Sequence, residues 1–278
     1  MFNSNNKKLL IIIMKVAVIK SRKCGFGSNF NHTILGIEYA LMKGFIPKVE
    51  WYLSLYADSD TENVWDTYFD LTGISTEESI VETITLPMIN FPKRKGNKYC
   101  LNSIFKNHVS LKPFMKEKID KIFDGYSDLP LVGVHLRNTD RVIEPQFASP
   151  GIDIVIKYLK NVLKEYSKVG LYIASDNIPD VTILKGVLDE HVVVFEDNDA
   201  IRSNDNTSVH GDMDSGLETK NSLKAMSIIT DIFALARCDV IVRTCSNVTA
   251  ASAIINPYAK IVDVSKEMGR ITEEWVSE

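Results

Sequence analysis

Leu131-Val132-Gly133-Val134-His135-Leu136-Arg137-Asn138-Thr139-Asp140-Arg141 is the stretch on which the reading of this chain turns. Its first six residues are apolar or small apart from one histidine, which predicts a strand, and the run then breaks into polar and charged groups. Side chains alternate across a strand, so His135 and Arg137 share one face at its exit while Val134 and Leu136 take the other. An Arg placed there can fork onto a phosphate. It can equally pair with an Asp and cap the strand, with His135 a satisfied core histidine. Spacing alone does not separate the two.

Downstream the sequence keeps a regular rhythm. It predicts strands over 131–136, 169–174, 191–195, 240–242 and 261–264, and helices over 152–166, 179–189, 222–236 and 248–255. Strands alternating with helices imply parallel βαβ units. The polar segment 196–218 interrupts the rhythm and reads as a functional loop or a partly disordered insert. Upstream, 16–20 reads as a strand and 23–28 as a turn, followed by a helix over 31–43 that stops at Gly44. Beyond it, 49–55 and 80–86 are expected strands, 65–71 and 111–123 helices, and 92–96 a basic surface turn. The expected architecture is α/β, with two Rossmann-like domains, residues 1–128 and 129–278, facing a cleft. In such sheets ligands bind beyond the carboxyl ends of the strands.

Composition narrows the classes. Of 278 residues 45% are apolar and 24% charged, as in globular rather than disordered or fibrous chains. A formal net charge of −4 gives no basic field for sequence-independent nucleic-acid binding, so no nucleic-acid partner is expected. The four cysteines, Cys24, Cys100, Cys238 and Cys245, lack CxxC spacing and read as thiols in a reducing compartment. Lys7 and Lys8 precede an apolar run over 9–14, but Lys15 breaks it, no small-residue cleavage site follows, and it is too short to span a bilayer. Met14 could be an alternative start. A cytoplasmic protein without a membrane span is the expectation, and the Asn-x-Ser/Thr sequences at Asn31, Asn206 and Asn247 are then chance.

The run His135-x-Arg137-x-Thr139-Asp140 resembles the nucleotide-sugar-binding motif of the α-1,6-fucosyltransferases, including the bacterial nodulation enzymes, and more loosely those of α-1,2- and protein O-fucosyltransferases. In that family the first Arg contacts the donor's pyrophosphate, and Arg137 is its match. Asn138 and Arg141 stand where the family commonly has a second Arg and a Lys. Cys24-Gly25-Phe26-Gly27-Ser28-Asn29-Phe30-Asn31-His32 is similar to the family's CG(Y/F)G loop with a following His, which implies donor contacts at Gly25, Phe26, Gly27 and His32. Two glycines permit a tight turn and close backbone approach, and a helix N-terminus offers N–H groups to an anion, although an ordinary strand-to-helix turn looks the same.

Asn221 through Asp231 to Asn247 resembles the family's final motif, which points to Asp231, Ser246 and Asn247. Ser246 could instead be a helix N-cap, and Asp231 a carboxylate on a solvent face. Tyr172-Ile173-Ala174-Ser175-Asp176-Asn177 is similar to a strand end common in such transferases, making Asp176 a hydroxyl or nucleotide contact or merely an Asx turn. The matching patches cover about 15–45 and 130–265, in the family's order, whereas 46–128 matches nothing.

The resemblance implies a GT-B-like, inverting enzyme that moves fucose from GDP-fucose to a glycan, without metal or other cofactor. Arg137 would steady the departing diphosphate, and Glu144 or Asp140 would take the acceptor's proton. Two rivals stand beside it. Asp197-Asn198-Asp199 or Asp212-Met213-Asp214 could be a DxD site gripping Mg or Mn on another nucleotide sugar. Alternatively, the chain binds nucleotide sugars or glycans without turning them over.

Overall fold

A computed structural model describes residues 14–52, 54–74, 80–86, 97–126, 128–137, 150–204 and 220–267. The chain opens with β1 (Met14–Lys20) and α1 (Phe26–Met42), followed by β2 (Ile46–Glu50), α2 (Val64–Tyr68), β3 (Phe69–Leu71) and β4 (Ile80–Thr85). These strands build a three-stranded parallel sheet in the order β2-β1-β4, while β3 pairs antiparallel with a later strand. Helix α1 stops because Gly44 takes φ 68, a left-handed conformation that side chains resist. It starts five residues earlier than its apolar pattern predicts, so the glycine-containing loop is itself the first helical turn.

The next elements are α3 (Asn97–His108), β5 (Val109–Leu111), which partners β3, and α4 (Pro113–Ile122). Here sequence and structure differ. The apolar run 65–71 divides into α2 and β3, and the helix expected over 111–123 is a strand followed by a helix that Pro113 starts. Helix α3 has no counterpart in the sequence reading, because its buried apolar side chains are few: Leu101 and Phe105, four apart, with Ile104 only partly buried and Tyr99 exposed.

The second half runs β6 (Leu131–Leu136), α5 (Ile152–Leu163), β7 (Val169–Ser175), α6 (Ile178–Lys185), β8 (Val192–Phe195), α7 (Asn221–Leu235), β9 (Val240–Arg243), α8 (Asn247–Ile255), β10 (Lys260–Asp263) and the short α9 (Val264–Glu267). All five strands are parallel, in the order β10-β9-β6-β7-β8. Strand order reverses between β6 and β9, which makes the carboxyl end of β6 the switch point where such sheets open a crevice. Parallel strands are covered on both faces, and every residue of β7 is buried. Gly133 lets α7 lie close on β6, since a Cβ there would come 2.7 Å from Leu235 Cδ2 and 3.0 Å from Cys238 Sγ.

One core cluster lies between the halves. Phe30, Ile34, Trp65, Phe69 and Phe105 of the first half pack with Ile228, Ile232, Ala250 and Ile254 of the second. Phe233 bridges them, with ring centroids 6.3 Å from Phe69 and 6.0 Å from Phe105. Asn102 adds polar ties, its amide donating to the Ile254 and Ile255 carbonyls at 2.9 and 2.8 Å and so capping α8. A second cluster, including Val132, Val134, Leu159 and Ile173, fills the other face of the larger sheet. The shared core fixes the two halves relative to each other, and with them the walls of the cavity between.

Candidate functional site

At the carboxyl ends of β6 and β7 lies a cavity of about 310 Å³. Strand β6 supplies His135, Leu136 and, just past its end, Arg137; β7 supplies Ser175 and, just past its end, Asp176. The first turn of α1 closes one side with Gly25 to Ser28, α7 another with Ser227, Ile228 and Asp231, and the start of α8 a third with Asn247 and Val248.

The two helix starts touch because of Gly27. A Cβ on it would sit 2.8 Å from the carbonyl carbon and oxygen of Asn247 and 2.9 Å from the Val248 nitrogen. Its close approach is therefore to protein backbone. Gly25, the α1 N-cap at φ −56, has nothing within 4 Å of its Cβ direction and borders the cavity. Neither helix carries an acidic residue in its first turn, so the positive ends of both dipoles are left for an outside anion. The Phe26 N–H is taken by the Tyr56 hydroxyl at 3.0 Å, while those of Gly27 and Ser28 have no intramolecular acceptor among the described residues. Buried Asn29 staples the preceding loop, accepting from the Arg22 N–H at 2.9 Å and donating to the Arg22 and Cys24 carbonyls at 3.0 and 3.2 Å.

Ser246 takes the capping alternative. It is fully buried with φ −159, and its hydroxyl accepts from the Val248 N–H at 3.2 Å, behind the cavity wall. Asn247 is at the wall, and its carbonyl accepts from the Asn31 side chain at 3.1 Å. His32 is buried within α1 and does not border the cavity.

The two arginines at the ends of neighbouring strands differ in burial. Arg243 is wholly buried, its Nε and Nη2 on Asp263 Oδ2 at 2.9 and 2.6 Å and its Nη1 on Thr249 at 3.1 Å. It holds β9, β10 and α8 together. Arg137, only half-buried, stands at the cavity wall beside His135, whose strand neighbours are Ala174 and Arg243.

Asp231 faces the cavity from α7 and accepts a 2.7 Å hydrogen bond from the Tyr172 hydroxyl. Burial pushes its carboxyl up to about 7. The Tyr172 bond and the Arg202 charge oppose that shift, and the Asp197 and Asp176 carboxylates reinforce it. Burial, with Asp231 beside it, also holds the Tyr172 phenol well above its ordinary range. Arg202 is fixed by the Ser175 carbonyl at 3.3 Å and Glu196 at 3.2 Å. The α7 surface thus presents a weak acid rather than a fixed negative charge.

The triplet Asp197-Asn198-Asp199 is engaged otherwise than a cation-gripping motif requires. Lys118 of α4 puts its ammonium 2.7 Å from Asp197 Oδ1 and 2.8 Å from Asp199 Oδ2, and neither carboxylate borders the cavity. Asp140, Glu144, Asn138, Thr139, Arg141, the turn 92–96 and the triplet 212–214 lie outside the described residues. Among the described residues no group of three or more His, Cys, Asp or Glu is arranged to hold a metal, and no helix is long and apolar enough to cross a membrane.

Of the residues singled out in the sequence, the cavity gathers Gly25, Phe26, Gly27, His135, Arg137, Asp176, Asp231 and Asn247. It adds Tyr56, Ile201, Ser227 and Ile228, which sequence reasoning missed. For Ser227 and Ile228 a signal existed: they precede Asp231 by one helical turn and share its face. Tyr56 and Ile201 sit in irregular segments where no period points.

No protein-family model matches the sequence, and no curated protein does. Among solved structures, the chain superposes on the α-1,6-fucosyltransferase NodZ soaked with GDP-fucose at a TM-score of 0.63 and 15% identity, over 90% of this chain and 94% of that one. NodZ co-crystallised with GDP gives 0.63 and 16% over the same shares, and NodZ from Bradyrhizobium gives 0.62 and 15% over 91% and 96%. The fold is therefore the expected GT-B-like α/β architecture, shared along nearly the whole length of both chains.

Proposed function

We propose that this chain is an inverting glycosyltransferase that moves fucose from GDP-fucose to a glycan acceptor. One observation carries the reading: two helix N-termini and Arg137 converge on a single cavity at the switch point of the larger sheet. Anions belong at such a place, and a nucleoside diphosphate is the anion that a GT-B-like fold presents to chemistry. NodZ structures carrying GDP and GDP-fucose have this fold, which supports the choice of base and sugar.

In this reading residues 129–278 hold the nucleotide and residues 1–128 face the acceptor. Asp140 or Glu144 takes the proton of the attacking hydroxyl, and inversion turns a β-linked donor into an α-linked product. The charge developing on the departing diphosphate is met by Arg137 and by the N–H groups of Gly27 and Ser28, without a metal. One such preorganised contact is worth about 3 kcal/mol of barrier. Asp176, Asp231 and His135 line the nucleotide's side of the cavity, while Ser246 caps α8 from behind the wall.

The test is turnover. GDP-fucose incubated with a glycan panel in EDTA should release GDP and yield an α-linked product, at a rate that falls roughly 100-fold or more in Arg137→Ala. Tight donor binding with neither transfer nor hydrolysis across the panel would assign the chain to binding proteins instead.

A further inference from the structure

The segment following β2 belongs to the part of the sequence that matched no motif, yet it reaches the cavity. Tyr56 is almost wholly buried and forms part of the wall. Its hydroxyl oxygen accepts the Phe26 N–H, the first of the four amides that an α-helix leaves without an internal acceptor. An N-cap side chain would reach the second or third amide rather than this one, so the acceptor for Phe26 comes from 30 residues away in sequence. The rings reinforce it. Phe26 meets Tyr56 edge-on at 5.3 Å and Trp51 at 5.2 Å, and the Trp51 indole donates to Thr33 at 3.1 Å, two turns further along α1.

The same segment grips the opposite wall. The Ala57 carbonyl accepts from the Asn221 side chain at 3.0 Å, and Asp58 accepts the Ser222 N–H at 3.1 Å, both at the start of α7. Tyr68 completes the attachment by donating to the Ser222 carbonyl at 2.8 Å. Trp51, Tyr56, Ala57 and Asp58 therefore tie the first turns of α1 to the helix that carries Ser227, Ile228 and Asp231.

We propose that Tyr56 is a positioning residue for the donor's diphosphate: by occupying the Phe26 N–H it fixes the first turn of α1 so that the Gly27 and Ser28 N–H groups point at the phosphates. This rests on the donor reading above. Hydrogen-bond donors aimed at an anion lose much of their effect when displaced by about 1 Å, so a bond that never touches the ligand still sets its affinity. Tyr56→Phe keeps the ring and its edge-on contacts but removes the acceptor, leaving the Phe26 amide to find another partner and the turn free to shift.

The experiment compares two probes on wild type and Tyr56→Phe: GDP by calorimetry, and guanosine, which lacks the phosphates, by ligand-observed NMR. The expected result is a GDP Kd raised about tenfold with guanosine binding unchanged within about twofold, the retained nucleoside binding also reporting an intact fold. Equal losses for both ligands, or no change in either, overturn the inference while leaving the donor reading in place. A wild type that binds no GDP overturns the donor reading and this inference together.

Discussion

Tyr172 donates a 2.7 Å hydrogen bond to Asp231 at the cavity wall, joining a carboxyl that burial has made a weak acid to a phenol that burial has made weaker. The pair couples β7 to α7 across the site. It also makes stability respond to pH in a way that a surface carboxylate would not.

An unfolded Asp titrates near 4, whereas burial raises Asp231 to about 7 in the folded chain. A pKa raised on folding favours the folded state fully below the unfolded value, and that contribution is lost as pH climbs through the folded one. Asp231→Asn removes the titration. Its stability relative to wild type should therefore rise between pH 4 and pH 7 and level off above, by at most about 4 kcal/mol. Urea midpoints at pH 4, 5.5, 7 and 8 measure this, and a difference that stays flat over that range contradicts it.

Two glycines two residues apart in the same wall should respond oppositely. Gly27→Ala drives a methyl into the backbone of Asn247 and Val248, with atoms at 2.8 to 2.9 Å, and should cost about 2–4 kcal/mol by prising α1 from α8. Gly25→Ala meets open space at an ordinary φ of −56 and should change stability by less than about 1 kcal/mol. Denaturant unfolding of both variants decides the matter, and equal costs would mean that the helix crossing is not as close as described.

Asp263→Asn strips the charge partner from an arginine with no exposure to water. A loss of about 3–5 kcal/mol is expected, since the guanidinium of Arg243 remains buried and under-compensated. Thermal or urea unfolding checks it; a cost below about 1 kcal/mol would show that water reaches the pair.

What the sequence discloses follows from how local each signal is. The second half is legible because its strands are short apolar runs separated by helices of clear period, as in Leu131–Leu136 and Val240–Arg243. The first half mixes cues. Pro47 sits inside β2, tolerable only because that strand is an edge, so the apolar pattern points to a later start. Trp65 and Phe69 are both buried but belong to a helix and a strand in turn, which no single period describes. Within the site, Arg137 and Asp231 stand at ends and faces that alternation and helical spacing can place. Ser246 and Asn247 are adjacent, and only three dimensions show that one caps the helix behind the wall while the other borders the cavity. Tyr56 is invisible to local reasoning, because its partner is the amide of a residue in another element.

The most direct measurement is calorimetric titration of GDP, GDP-fucose and UDP in EDTA, with wild type and Arg137→Ala side by side. The account predicts metal-free binding of GDP and GDP-fucose that weakens roughly 10- to 100-fold in the variant, the loss of charge-assisted contacts to the diphosphate. GDP binding indifferent to Arg137, or a preference for UDP that appears only on adding Mn, would contradict it.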